Sequence, residues 1–220
     1  MLKIEKTVLP SPEQWEIIIE GMRNPKNSWD KMDSEKCIVN LDDVALYDDC
    51  PEWGYDIGEN DHKLMTSLAK GGAVHAKYRR MIPVFLTINA PLYWWKEFDT
   101  YKVGTVANSC STMHKIQAKE FTLDDFSKEH LNRNSGWLLE EIVATLNMER
   151  DNFLLSGNKW AWWQLIQLLP TSYNQKRTVM LNYEVLVNIY HSRKNHKLDE
   201  WHTFCDWIKE LPYSELITGE

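Results

Sequence analysis

The sequence predicts an α+β fold, and three observations carry that expectation. A short apolar run rich in β-branched and aromatic residues at 82–88, and alternating stretches at 2–9 and 173–181, read as strands. Between them apolar residues recur at helical spacing, most clearly over 138–155, where Leu139, Ile142, Val143, Leu146 and Phe153 share a stripe. No internal repeat, low-complexity segment or linker interrupts the 220 residues, so one domain over 1–220 is expected.

In chain order, residues 2–9 alternate weakly as the first strand. Ser11-Pro12-Glu13 is a helix start, with Trp15, Ile18 and Ile19 as its apolar stripe and Gly21 and Pro25 expected to close it. From 24 to 55 the pattern breaks up around Pro25, Asp42-Asp43, Asp48-Asp49 and Pro51. The acidic pairs read as solvated turns, because no hard-cation loop spacing accompanies them. A helix is expected over 60–69, an interruption at Gly71-Gly72, and a second helical piece over 73–80.

The strand 82–88 is expected to break at Asn89-Ala90-Pro91, with Pro91 opening a helix over 92–102 that carries Leu92, Trp95 and Phe98. The following stretch, GTVANSCSTMH, is small and polar. Residues 121–134 are polar too, and Thr122-Leu123-Asp124-Asp125 resembles a helix start. The long helix 138–155 ends at Gly157, and another, with Trp160, Trp163 and Leu165, ends before Leu169-Pro170. After the strand 173–181, Asn182 caps a helix whose buried stripe is Leu186, Ile189 and Tyr190.

Composition narrows the function classes. A formal net charge of -7 argues against a general nucleic-acid binder, since phosphate neutralisation needs clustered Lys and Arg. Eleven Trp imply large apolar surfaces, in the core or at a subunit interface. Cys37, Cys50, Cys110 and Cys205 form no C-x-x-C pair and read as reduced thiols rather than a disulfide frame or zinc site. The first residues lack a signal-peptide core and no apolar run reaches membrane-spanning length, so a soluble cytoplasmic protein without membrane or nucleic-acid partners is expected.

Two stretches carry candidate chemistry. The first is 82–115, a strand, a helix ending in charge and a small-residue loop, a plausible wall for an anionic ligand. The second is 169–201, where Asn182 and Arg193 stand about three helical turns apart and point the same way. One helix face could hold a polar group at each end of an elongated ligand. The plain alternative is a core strand with an ordinary loop, a capping Asn, and an Arg favoured by the helix C-terminal dipole.

Together these stretches resemble the flavin-dependent thymidylate synthases (ThyX), over roughly 58–211. Ala90-Pro91 matches the family's A-P-helix, which places Thr100, Tyr101 and Lys102 at its Arg-His-Arg and Asn108, Cys110 and Ser111 at its substrate loop. Leu169-Pro170 places Asn182, Asn188 and Arg193 at two flavin-contacting Asn and a uracil-contacting Arg, and His75 falls on a His that approaches the flavin. The resemblance implies a ThyX-type α+β domain with a mixed sheet and long helices, forming a homo-oligomer, a tetramer, with flavin sites at subunit interfaces.

It also implies FAD as cofactor, NADPH and methylenetetrahydrofolate as cosubstrates, and reductive methylation of dUMP to dTMP. His75, Thr100, Tyr101, Lys102, Asn182 and Asn188 would serve the cofactor; Asn108, Cys110, Ser111 and Arg193 the substrate; Arg193 and Ser111 catalysis. No metal ligand set is implied.

The departures are specific. Only Lys102 keeps the charge of the triplet, a substrate-binding Arg is Ile166 here, and another is Thr112 or Met113. Lys77, Arg79, Arg80, Lys102 and Lys176 are candidate replacements. Two alternatives stay open: a flavoenzyme of this fold acting on another pyrimidine nucleotide, and a non-catalytic oligomeric binding protein.

Overall fold

The computed structural model describes residues 1–37, 51 and 53–220. In chain order the elements are β1 (Lys3–Val8), α1 (Pro12–Arg23), β2 (Glu35–Lys36), β3 (Tyr55–Asp56), α2 (Glu59–Lys70), β4 (Pro83–Pro91), α3 (Leu92–Phe98) and β5 (Val106–Ser109). Then follow α4 (Arg133–Ser156), α5 (Lys159–Leu168), β6 (Asn174–Asn182), α6 (Tyr183–Arg193), α7 (Asp199–Lys209) and α8 (Glu215–Thr218). A four-stranded sheet has the order β1-β4-β6-β5, and β2 pairs antiparallel with β3, Glu35 opposite Asp56. The fold class is α+β, as expected.

Two compact units make up the chain. The first comprises 1–6, 87–102 and 107–179. Its core gathers Ile116, Phe121, Phe126, Leu139, Val143, Leu146 and Leu165 under the α4–α5 hairpin. Gly157, at φ 64°, turns that hairpin where an L side chain would be strained. Asn158 then caps α5 by accepting from Trp160 N at 2.9 Å. A second cluster forms on α3, where Trp94, Trp95 and Phe98 rings pack within 4.8–5.3 Å. Trp95 Nε1 donates to the Gln175 carbonyl at 2.8 Å, and the Arg177 guanidinium lies 4.3 Å over its ring.

The second unit comprises 7–86, 103–106 and 180–220. Ser11 opens α1 through a capping box with Gln14. Trp15, Ile18, Ile19 and Met22 are buried on its inner face, and Met65, Tyr183, Leu186, Ile189, Trp201, Phe204 and Ile208 are buried on α2, α6 and α7. Tyr183 ties α6 in place, its N–H donating to Ile82 O at 3.2 Å and its hydroxyl to Pro212 O at 2.6 Å. Burial raises the Tyr183 and Tyr78 hydroxyls far above the ordinary phenol range.

Several boundaries differ from the sequence expectation. Helix α1 runs through Gly21 to Arg23, because the capping box and buried stripe outweigh one glycine. The strand does not break at Asn89; β4 continues to Pro91, whose extended ψ of 150° makes it the cap rather than the first helical residue. Helix α3 stops at Phe98, where Thr100 Oγ1 donates back to Glu97 O at 2.7 Å and closes the last turn. Residues 73–80 form turns and a 3-10 segment (Lys77–Met81), and Thr122 opens a 3-10 turn, Leu123–Asp125. Helix α4 begins at Arg133, five residues before the expected apolar stripe, under an Asn132 cap.

Among the cysteines, Cys110 and Cys205 carry free thiols, whereas Cys37 is disulfide-bonded, against the expectation of four reduced thiols. Cys50, Asp42-Asp43 and Asp48-Asp49 lie outside the described residues. Among the described residues no helix is long and apolar enough to cross a membrane.

Candidate functional site: a cavity beside helix α6

In the second unit the outward side of α6 borders a cavity of about 540 Å³. That volume lies within the range of small-molecule sites. Glu184, Val187, Asn188 and His191, spaced to share one helical face, supply one wall. Thr66, Ala69 and Lys70 come from the end of α2, Arg79 from the 3-10 segment, and Leu216 and Ile217 from α8. His62 Nε2 and Glu215 Oε1, 2.7 Å apart, join α2 to α8 at its edge.

Of the residues that the resemblance assigns to cofactor or substrate, Asn188 lines this cavity. Asn182, half-buried, caps α6: its Oδ1 accepts from Val185 N at 3.1 Å, which leaves its amide as a donor. Gly104, at φ 80°, sits against that amide; a Cβ there would lie 3.1 Å from Asn182 Nδ2. Arg193, on the last turn of α6, stacks its guanidinium 4.8 Å over the Trp201 ring. His75 is exposed and lines a different cavity, of about 400 Å³, with Lys26 and Lys77.

The remaining expected residues belong to the first unit. Thr100, Tyr101 and Lys102 form the turn that leaves α3, Thr100 and Tyr101 donating their N–H groups to Glu97 O and Phe98 O. Asn108 lies on β5, exposed. Cys110 N donates to Lys176 O at 2.9 Å and its carbonyl accepts from Gln175 Nε2 at 2.7 Å, so the backbone is fixed and the free thiol exposed. Ser111 Oγ accepts from His114 N at 2.9 Å and Met113 N at 3.3 Å, holding its own turn while keeping its proton to donate. Lys176 is paired with Glu5 at 2.7 Å.

Sequence reading missed Glu184 and placed Arg79 only among spare cations. They form a buried ion pair, Nε to Oε2 at 3.0 Å, against the cavity. The signal for Glu184 was present: a carboxylate in the first turn of α6, four residues before Asn188 on that wall.

No family model and no curated protein matches the sequence. Solved structures do. The chain superposes on thymidylate synthase X (ThyX) from Helicobacter pylori with FAD and dUMP at a TM-score of 0.63 and 15% identity, covering 100% of this chain and 96% of that one. A second Helicobacter pylori flavin-dependent ThyX structure, complexed with FAD and dUMP, gives 0.62 and 14%, covering 100% and 97%.

The fold is that of ThyX. The UMP/dUMP methylase PolB from Streptomyces cacaoi, bound with 5-Br dUMP, is similar at 0.61 and 12% identity, covering 100% and 94%. Among the described residues the ThyX-type fold therefore includes the first ones, where the sequence resemblance is weakest.

Proposed function

We propose that this chain is a flavin-dependent methylase of pyrimidine nucleotides, reductively methylating dUMP to dTMP with FAD, NADPH and methylenetetrahydrofolate. The observation that carries the reading is the end-to-end fold match to proteins captured with FAD and dUMP. The cavity beside α6 fits a flavin ring. Its size suits a planar heterocycle, its walls are mostly apolar, and the Asn188 amide and buried Arg79–Glu184 pair offer polar contacts. Three glutamates among its lining residues make it a poor home for the pyrophosphate, which we assign to charge elsewhere, Lys102 included.

When bound, FAD supplies the redox chemistry and the one-carbon transfer. The chain's own side chains orient and polarise. Asn188 and the Asn182 amide hold ring edges; Arg193 and Ser111 act on the uracil, the guanidinium favouring negative charge as the base becomes nucleophilic. His75, Thr100, Tyr101, Asn108 and Cys110 keep the cofactor and substrate roles that the family resemblance implies.

The likeness to PolB, a methylase of UMP as well as dUMP, favours a second reading, in which the nucleotide is not dUMP but another pyrimidine. Exposed Trp137, Trp160 and Leu155 on α4 and α5 support assembly into a homo-oligomer, a tetramer.

Titrating the protein with FAD, with dUMP or UMP present, tests the reading through flavin fluorescence quenching and product formation. Saturable FAD binding with methylation of one nucleotide is expected. A folded protein that binds no FAD overturns the proposal, and light scattering that finds only monomer overturns the assembly.

A further inference from the structure

The cavity that His75 lines, of about 400 Å³, has the opposite charge pattern to the one beside α6. Glu184, Glu215 and Glu220 line the α6 cavity, whereas this one has Lys26, His75 and Lys77 and no carboxylate. In a chain of net charge -7, such a local excess of cations marks a place where an anion is attracted. Among the described residues neither lysine is ion-paired. Met22 and Tyr78, both buried, and the half-buried Leu68 give the cavity an apolar wall. The Tyr78 hydroxyl is already bonded, donating to Met65 O at 2.8 Å.

Two tight local arrangements deliver these groups. Lys26 ends a 3-10 turn, Asn24–Lys26, closed by Asn27 in the left-handed region at φ 46°, with Asn27 N donating to Asn24 O at 3.1 Å. Asparagine is one of the few side chains that visit that region readily. His75 N donates to Gly72 O at 3.0 Å, which fixes its backbone. Its ring lies against Gly71, whose φ of -73° any residue adopts. A Cβ on Gly71 would stand 3.1 Å from His75 Cδ2, closer than ordinary contact, so the bare glycine gives the ring its seat.

The lining selects by hydrogen-bond sense as well as by charge. Ammonium groups only donate, and apart from His75 no lining side chain offers a free oxygen or nitrogen acceptor. A ring N–H therefore goes unmet here, whereas an anionic oxygen is met by several donors. We propose that this cavity is a ligand site separate from the one beside α6, taking a small organic anion. The apolar body packs against Met22, Leu68 and the Tyr78 ring, and the carboxylate or phosphate head stands at the rim between Lys26, Lys77 and His75. No step of this depends on the flavin reading.

Calorimetry on the full chain with 4-ethylbenzoate and phenyl phosphate tests this, beside neutral 4-ethylbenzyl alcohol and bare inorganic phosphate. At least one organic anion should bind saturably, the tighter of the two naming the head group. The alcohol, which lacks the charge, and inorganic phosphate, which lacks the body, should each bind about tenfold more weakly or worse. No saturable binding of either organic anion overturns the inference, and inorganic phosphate binding equally well reduces the cavity to an adventitious ion site only. Lys26 and Lys77 are exposed, so Lys26→Gln/Lys77→Gln should melt like the wild type and lose about tenfold or more in affinity for the anion. Unchanged affinity in that variant overturns the site. Gly71→Ala, which displaces the His75 ring, should weaken the anion without lowering the melting temperature; full affinity there removes His75 from the site and overturns the three-group head. Displacement of the probe by saturating FAD or dUMP gives the cavity to those ligands and overturns a separate site. Probe binding in a protein that binds no FAD leaves this site standing while the flavin reading falls.

Discussion

Arg23–Asp61 and Arg79–Glu184 are both buried arginine–carboxylate pairs of the second unit, and their surroundings differ. Asp61 is fully used: Oδ1 accepts from Arg23 Nε at 2.5 Å, and Oδ2 from Asp33 N, Ser34 N and Ser34 Oγ at 3.0, 3.0 and 2.7 Å. Arg23 Nη1 donates to the Ser28 carbonyl and hydroxyl, leaving only Nη2 without a partner. This pair pins the segment before β2 to α2. The Arg79–Glu184 pair is misaligned, bonded to the protein through Leu216 O, and faces a cavity. The same chemical groups are thus almost fully hydrogen-bonded by the protein in one place and only partly so in the other. What separates them is how many of their lone pairs and protons the protein itself consumes.

The largest expected effect tests that contrast directly. Asp61→Ala strands Arg23 in the core and removes the acceptor for two backbone N–H groups, so it should cost about 3–5 kcal/mol. Glu184→Ala also strands a buried guanidinium, but it removes no acceptor from backbone N–H groups and Arg79 keeps its bond to Leu216 O, so it should cost less, about 3 kcal/mol at the low end of that range. Urea unfolding of both variants decides. Equal losses would break the distinction between the two pairs.

The next prediction concerns pH at the scaffold pair. Burial alone would raise the Asp33 carboxyl, but N–H groups of Asn60 and Asp61 outweigh it and hold it below its ordinary 3.8. A depressed carboxylate contributes stability that is full above its unfolded value and is lost as pH falls through the folded one. Asp33→Asn should therefore lower the melting temperature at neutral pH, with the deficit shrinking as pH falls through the folded-state value. A deficit that persists undiminished in acid would assign the loss to packing.

How much of this was legible follows the range of the interactions. The helix start at Ser11, the Asn182 cap and the Gly157 stop are local, and their residue types announced them. The end of α3 was not, because Thr100 and Asp99 read as ordinary helix residues until the Thr100 hydroxyl is seen bonding back to Glu97 O. The passage of β4 through Ala90-Pro91 depends on pairing within a sheet of order β1-β4-β6-β5, which no window of sequence contains. Glu184 escaped for a similar reason. At a helix start a glutamate looks dipole-favoured, and only the fold brings Arg79 to it. Asn188 was found by resemblance rather than by periodicity, since its position off the buried stripe suits a solvated residue equally well.

Asn182 and Asn188 sharpen the comparison within one helix. Asn182→Ala removes the N-cap of α6 and should cost about 1 kcal/mol, whereas Asn188→Ala, on the exposed cavity wall, should melt like the wild type. Ligand affinity should move the other way, falling more for Asn188→Ala. Melting and FAD titration on both proteins give a crossed pattern if one Asn is mainly scaffold and the other mainly site. Parallel losses would show that the helix start and the cavity wall are not separable.

The smallest effect is expected at Arg193, where scaffold and site meet in one side chain. Its guanidinium lies 4.8 Å over Trp201, which is buried, so part of its free energy is already committed to the protein. A partly exposed cation–π contact is worth about 0.5–1 kcal/mol. Arg193→Ala should lose that amount, and Arg193→Lys less, because an ammonium still favours the ring face and the helix C-terminal dipole. Stability alone therefore ranks the variants as wild type, Lys, Ala with narrow gaps. Nucleotide binding should rank them differently. A uracil edge read by a planar fork is lost to Lys almost as fully as to Ala. Calorimetry with dUMP beside thermal melts separates the two roles. If Lys binds nucleotide as well as Arg does, Arg193 is only a helix-end cation resting on Trp201, and the case for it at the substrate ends there.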